Sequence, residues 1–293
     1  MSKPHYGKSA LLMSALLWGI AFVAVQEAIN RGWTPFMLLG VRGLLASLAL
    51  VGFAIKRRFW LKPALIKQSI IAGIILFLGF VFQTYGQMYS SVSNASFITV
   101  MYVVFIPVLM WRQRHLNRWT IFGVVLAVAG TAVLTVRESL SFHAGDALLL
   151  ACAVVFAYHI MAVEKLAPFD DSLSATFIQV LTLGVLGFLM ALLTGGTLPS
   201  DGWIYVGYAG IISSGLAFFL QTYGQKHVNS TVAGILLTME ALFGAMGAIL
   251  ILGEPVTIST LFGGFLMMSA VIMVELGPKM GVKLRRGTPP CQN

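Results

Sequence analysis

The feature that most constrains this chain is a succession of apolar runs, each about 20 residues long, separated by short polar connections. A helix rises 1.5 Å per residue, so about 20 apolar residues cross a ~30 Å hydrocarbon core. Ten such runs are legible: 9–29, 35–55, 68–88, 94–112, 118–136, 145–163, 173–194, 203–223, 231–252 and 257–276. Hydrocarbon offers no partner to backbone N–H and C=O groups, so a spanning segment is either a helix or a strand of a closed barrel. These runs are continuously apolar and lack the period-two alternation of barrel strands, which selects helices. Composition agrees, since 58% of residues are hydrophobic and only 10% charged, against roughly 25% charged in soluble domains. The expected fold class is all-α and integral to a membrane, with ten transmembrane helices.

The opening MSKPHYGKSALLMSALLWGIAFVAV has the basic start of a signal peptide, but its apolar stretch is too long and a second span follows closely. It is expected to be retained as the first helix. A net charge of +9 would fit nucleic acid if the cations formed a groove with aromatic partners; here they follow the membrane instead. With the N-terminus inside, the Lys and Arg residues collect on the inner side: Lys3, Lys8, Lys56, Arg57, Arg58, Lys62, Lys67, Arg112, Arg114, Arg118, Lys165, Lys226, Lys279, Lys283, Arg285 and Arg286. Arg31 and Arg137 fall outside and Arg42 lies within a span. This is the positive-inside pattern, which places both termini and the basic tail 277–293 in the cytoplasm of a cell bounded by a bacterial inner membrane. Cys152 and Cys291 are too few and too far apart for a disulfide or metal framework. The Asn-x-Ser/Thr triplets at Asn94 and Asn229 are expected to carry no glycan, one hugging the membrane and the other facing inward.

The pentapeptide QTYGQ occurs twice, at 83–87 and 221–225. The shift of 138 residues that superposes the copies also lays SALLWGIAFVAVQEAI on CAVVFAYHIMAVEKLA and carries Tyr102 onto Glu240; after a two-residue adjustment it lays FGVVLAVAG on FGGFLMMSA. The chain therefore reads as a five-span unit, 9–136, followed by a second copy, 145–276. Five is odd, so the second copy enters the membrane from the opposite side, which makes an inverted repeat of the kind used for alternating access.

Several segments carry a family resemblance: SALLWGIAFVAVQEAI, the single arginine in LLGVRGLLASLAL, VSNASFITVMYVVFIPVLMW, and LLTMEALFGAMGAILILGEPVTISTLFGGFLMMSAVIMV. Together they resemble the drug/metabolite transporter superfamily, in particular its EamA-type members with ten helices in two five-helix repeats. The resemblance covers about residues 9–276, and its most specific piece is Gly253-Glu254 before a glycine-rich last span. The first copy departs from it, with Arg114 where the second has Glu254. What the resemblance implies is a carrier, mostly exporting amino acids, their derivatives, metabolites or toxic compounds, with uptake in some members.

An ionisable residue inside a span costs at least ~2.5–3.5 kcal/mol on insertion scales, so it is expected to face a cavity or a partner. Glu240, near the midplane, is the first candidate for a substrate ammonium or a proton; otherwise it forms a structural bridge with Arg42. Arg42 offers a planar fork for a carboxylate, or else positions its helix. Tyr102 is the repeat counterpart of Glu240, and Gln179 lies near the counterpart of Arg42. His159 suits proton coupling or a bond to a neighbouring helix. Gln83 with Gln87, and Gln221 with Gln225, each share one helix face. They are expected to line the path or gate opposite mouths, the alternative being helix–helix glue. Trp18, Phe22, Phe156 and Tyr158 form a candidate aromatic wall, or ordinary packing. The steps Gly40–Gly43, Gly184–Gly187 and Gly244–Gly247 permit close helix contact without the strict GxxxG spacing.

Neither GxxxxGK[ST] nor HExxH occurs, so no enzyme activity, cofactor or metal is expected. The expected partners are a small-molecule substrate and membrane lipids, with no nucleic acid, in a monomer or homodimer. The main expectation is export of small metabolites such as amino acids. Its alternatives are uptake of a cationic or nutrient solute, and a membrane interaction protein that transports nothing.

Overall fold

The computed structural model describes residues 3–58, 62–90, 92–110, 118–135, 144–252, 258 and 261–273. The Gly253-Glu254 motif, Arg112, Arg114, Arg137 and the tail 277–293 lie outside them. Among the described residues there is helix and no strand. In chain order the helices are α1 (Lys3–Asn30), α2 (Pro35–Lys56), α3 (Pro63–Met88), α4 (Val92–Thr99), α5 (Tyr102–Leu109), α6 (Arg118–Thr135), α7 (Ala144–Glu164), α8 (Ser172–Leu193), α9 (Trp203–Gly207), α10 (Ala217–Gln225), α11 (Ser230–Leu237), α12 (Met239–Leu252) and α13 (Leu261–Met273). A π-helical stretch, Tyr208–Leu216, joins α9 to α10.

Among the described residues, six helices are long and apolar enough to cross a membrane: His5–Asn30, Pro35–Lys56, Pro63–Met88, Gly145–Phe169, Ser172–Leu193 and Trp203–Gln225. Run 94–112 is divided between α4 and α5, and run 231–252 between α11 and α12. The two interruptions match under the repeat shift. In the first, Met101 and Val103 donate to the carbonyls of Ile98 and Val100; in the second, Ala241 donates to Thr238. These are i→i−3 bonds, the tighter winding that marks a local break in an α-helix.

Local chemistry sets the helix ends. Pro35 and Pro63 open α2 and α3, where a missing N–H is no loss. Asp171 Oδ1 accepts from the Ser174 amide at 3.2 Å to cap α8, and Asn229 Oδ1 accepts from the Val232 amide at 3.0 Å to cap α11.

Glycine brings α2 and α8 together. A Cβ on Gly43 would sit 2.4 Å from the Gly184 nitrogen, and one on Gly187 would sit 2.5 Å from the Gly40 nitrogen. Because 43 meets 184 while 40 meets 187, the two helices run in opposite directions. They are also counterparts under the repeat shift. The α1–α10 and α3–α7 contacts behave likewise. Gly7 meets Gly224, and Ser14 Oγ donates to the Ala217 carbonyl. Gly86 meets Leu149, and Gly79 meets Phe156. Exchanging the two halves of the chain turns one of these pairs into the other.

Candidate functional site

A cavity lies where these helices converge. Helix α1 contributes Trp18 and Phe22, and α2 contributes Arg42. Phe80, Gln83 and Gln87 come from α3, Tyr102 from α5, and Phe156 with His159 from α7. Ser213 stands on the π-helical stretch, Phe218 and Gln221 on α10, and Glu240 on α12. Of the sequence-predicted site residues, all but Gln225 and Tyr158 are on this wall.

Arg42 is buried to 1% exposure about eight residues into α2. Its Nε donates to Ser214 Oγ at 2.8 Å and its Nη2 to Ser213 Oγ at 3.3 Å, while the guanidinium lies 4.1 Å above the Phe80 ring. The two serines occupy the Nε side and leave the Nη1/Nη2 end of the fork, which suits bidentate binding of a carboxylate. Arg42 reaches these serines because Gly210 lets the π-helical stretch approach α2: a Cβ there would meet Leu45 at 2.9 Å and the Arg42 carbonyl at 3.0 Å. Such π-helical stretches recur at functional sites.

Glu240 does not bridge to Arg42 among the described residues. Its Oε1 accepts from the Tyr102 hydroxyl at 3.3 Å. The bond joins two positions that the repeat makes equivalent, directly beside the matched breaks in the α4–α5 and α11–α12 runs. Glu27, near the end of α1, pairs with Arg31, which also reaches Asp201 at 3.2 Å.

His159 shares a 3.0 Å hydrogen bond between its Nε2 and Gln179 Oε1, so it is tied to the neighbouring helix and still lines the cavity. The aromatic wall is larger than the sequence suggested. Trp18 packs on Phe218 at 4.7 Å, Phe80 on Phe156 at 5.5 Å and on Phe218 at 5.8 Å. Tyr158 is not part of it, being 47% exposed: Phe156 and His159, three apart, share the inward face, and Tyr158 points away from it. Sequence reasoning missed Phe80, Phe218, Ser213 and Ser214. The two phenylalanines are counterparts under the shift, each one helical turn before the first glutamine of a pentapeptide, and that spacing was the available signal.

The glutamines divide their labour. Gln87 Nε2 donates to the Phe22 carbonyl at 2.9 Å, and Gln225 Nε2 to the Ile160 carbonyl at 2.8 Å. The bonds are repeat twins, each tying the second glutamine of a pentapeptide to the backbone of a neighbouring helix. Gln83 and Gln221 stand one turn deeper, on the cavity wall.

The fold and this cavity define a multi-pass membrane protein assembled from two repeated halves around a polar-studded chamber. The chain belongs to the EamA-like transporter family, whose model matches it twice, at residues 5–136 and 143–276. It is 29% identical to an uncharacterized transporter of Archaeoglobus fulgidus, over 94% of this chain and 87% of that one. It is 24% identical to the uncharacterized inner membrane transporter YedA of Escherichia coli K12, over 78% and 77%, and 22% identical to a biotin transporter of Salmonella typhimurium, over 80% and 82%. A crystal structure at 18% identity shares the fold, with a TM-score of 0.76 over 94% of this chain and 98% of the other.

Proposed function

We propose that this protein is a secondary carrier that exports small metabolites such as amino acids and their derivatives by alternating access, without enzymatic activity or cofactor. The observation that carries the reading is Arg42: a guanidinium buried in a span, open toward the cavity at one end of its fork, with no carboxylate partner among the described residues. Such a charge is costly unless something completes it. A substrate carboxylate does so, while Glu240 and the aromatic rings accommodate the rest of the solute. Ten helices in two inverted five-helix repeats remain the topology proposed, with the chain in a bacterial inner membrane and both termini cytoplasmic. The opposed directions of α2 and α8, and the twin bonds of Gln87 and Gln225, support the inversion. A working unit of one or two chains, contacting only solute and lipid, is sufficient for this scheme.

Purified protein in liposomes is expected to move a radiolabelled amino acid down its gradient, and Glu240→Gln to weaken that movement. Undiminished flux in the variant would remove Glu240 from the site. An inert wild-type protein across a broad solute panel would favour an interaction protein that transports nothing. A second reading, uptake of a nutrient, draws support from the likeness to the Salmonella biotin transporter. Alternating access runs in either direction with the gradients, so the direction of coupled flux in the same liposomes separates the two.

A further inference from the structure

The two pentapeptides place the same side chain in unlike surroundings. Gln83 Nε2 donates to Thr99 Oγ1 at 3.5 Å. The 138-residue shift puts Leu237 where the first copy has Thr99, so the second half offers no hydroxyl at the matching position. Gln221 is 1% exposed, its Oε1 is buried without a hydrogen-bond partner, and its side chain lines the cavity. A buried amide oxygen left unpaired is penalised, and a bound molecule that offers an N–H would relieve the penalty. Gln225 Oε1 also lacks a partner, but Gln225 is off the wall and its Nε2 is committed to Ile160.

We propose that Gln221 is the specificity-determining residue of the carrier: its Oε1 accepts a hydrogen bond from an N–H on the cargo while Arg42 holds the cargo's carboxylate. Gln83 has no such part: its Nε2 is held by Thr99, and its Oε1 is not among the buried oxygens left without a partner. The repeat has thus become chemically one-sided at a matched position. This rests on the carrier reading above and narrows the cargo to small carboxylates bearing an N–H donor. A site built to hydrogen-bond a donor discriminates strongly against analogues that lack it, since its own polar group is then left unpaired.

Binding of three probes to the full-length protein in detergent tests the assignment: leucine and N-acetylleucine, which carry an N–H, and 4-methylpentanoate, which has the same side-chain skeleton and carboxylate without one. Wild-type protein is expected to bind the first two about tenfold more tightly than the third. Gln221→Leu should abolish that preference and leave 4-methylpentanoate binding unchanged. Gln83→Leu should keep the preference. Equal weakening by Gln221→Leu and Gln83→Leu, or equal loss for all three probes in Gln221→Leu, would overturn the proposal while leaving the carrier reading intact. Failure of the wild-type protein to bind any of the three would overturn both.

Discussion

Replacing Arg42 with methionine separates a binding role from a structural one, because the two predict opposite outcomes. The substitution removes two hydrogen bonds from a charged donor, at 2.8 and 3.3 Å, together worth about 3–6 kcal/mol at ~1.5–3 kcal/mol each. It also removes the contact over Phe80 at 4.1 Å, worth up to about 2 kcal/mol in a desolvated setting. Against these stands the penalty of holding an ion at 1% exposure, several kcal/mol after relaxation. The terms nearly cancel, and methionine fills the same volume with flexible apolar atoms. Arg42→Met is therefore expected to change unfolding free energy by no more than about 2 kcal/mol in either direction. A carboxylate that loses its buried cationic partner loses about 2–5 kcal/mol, which is roughly 30-fold to several thousand-fold in affinity. Denaturant unfolding in mixed micelles, followed by tryptophan fluorescence, measures the first quantity, and flux of a labelled amino acid into liposomes the second. A variant that loses about 4 kcal/mol or more of stability and still transports would refute the reasoning and return Arg42 to helix positioning.

Gly43→Leu should separate α2 from α8, since even a Cβ would stand 2.4 Å from Gly184; overpacking of this kind costs about 1–3 kcal/mol, and unfolding in micelles should report it. Gln87→Leu and Gln225→Leu should each lower stability by a similar amount, about 1 kcal/mol, through twin bonds of 2.9 and 2.8 Å; a large effect from one and none from the other would deny the twin relation. Asp171, outside the spans, has a pH signature. Burial pushes its carboxyl up, but Lys62 at 2.8 Å and the Ser174 amide at 3.2 Å outweigh that and hold it below the usual aspartate value. A depressed folded-state pKa contributes stability that is present above the unfolded value near 3.9 and is lost as pH falls through the folded one. Asp171→Asn should therefore flatten the acid limb of a stability-versus-pH curve and leave its neutral region free of slope.

Much of this architecture can be read in the sequence because lipid imposes simple rules. Uninterrupted apolarity demands helix, and an ionisable residue within a span demands a reason. Arg42, His159 and Glu240 emerge from that rule alone, and all three line the cavity. The repeat was legible because QTYGQ survived in both copies. Tertiary effects were not legible. The breaks between α4 and α5 and between α11 and α12 leave no glycine or proline at Val100, Met101 or Thr238 to announce them. Ser213 and Ser214 sit on a π-helical stretch, whose wider turn moves side chains off the 3.6-residue register by which faces are read. Glu240 was equally suited on paper to Arg42 or to solute; which oxygen meets which donor is decided by helix crossings, and these brought it to Tyr102.

The most direct test uses two positions that the repeat makes equivalent, Asn30 at the end of α1 and Pro168 just beyond α7, both exposed. In a background with Cys152 and Cys291 replaced by serine, Asn30→Cys and Pro168→Cys are treated with a membrane-impermeant maleimide in intact cells. Opposed halves predict that the first is labelled from outside and the second only after the membrane is opened. Labelling of both from the same side would contradict the account.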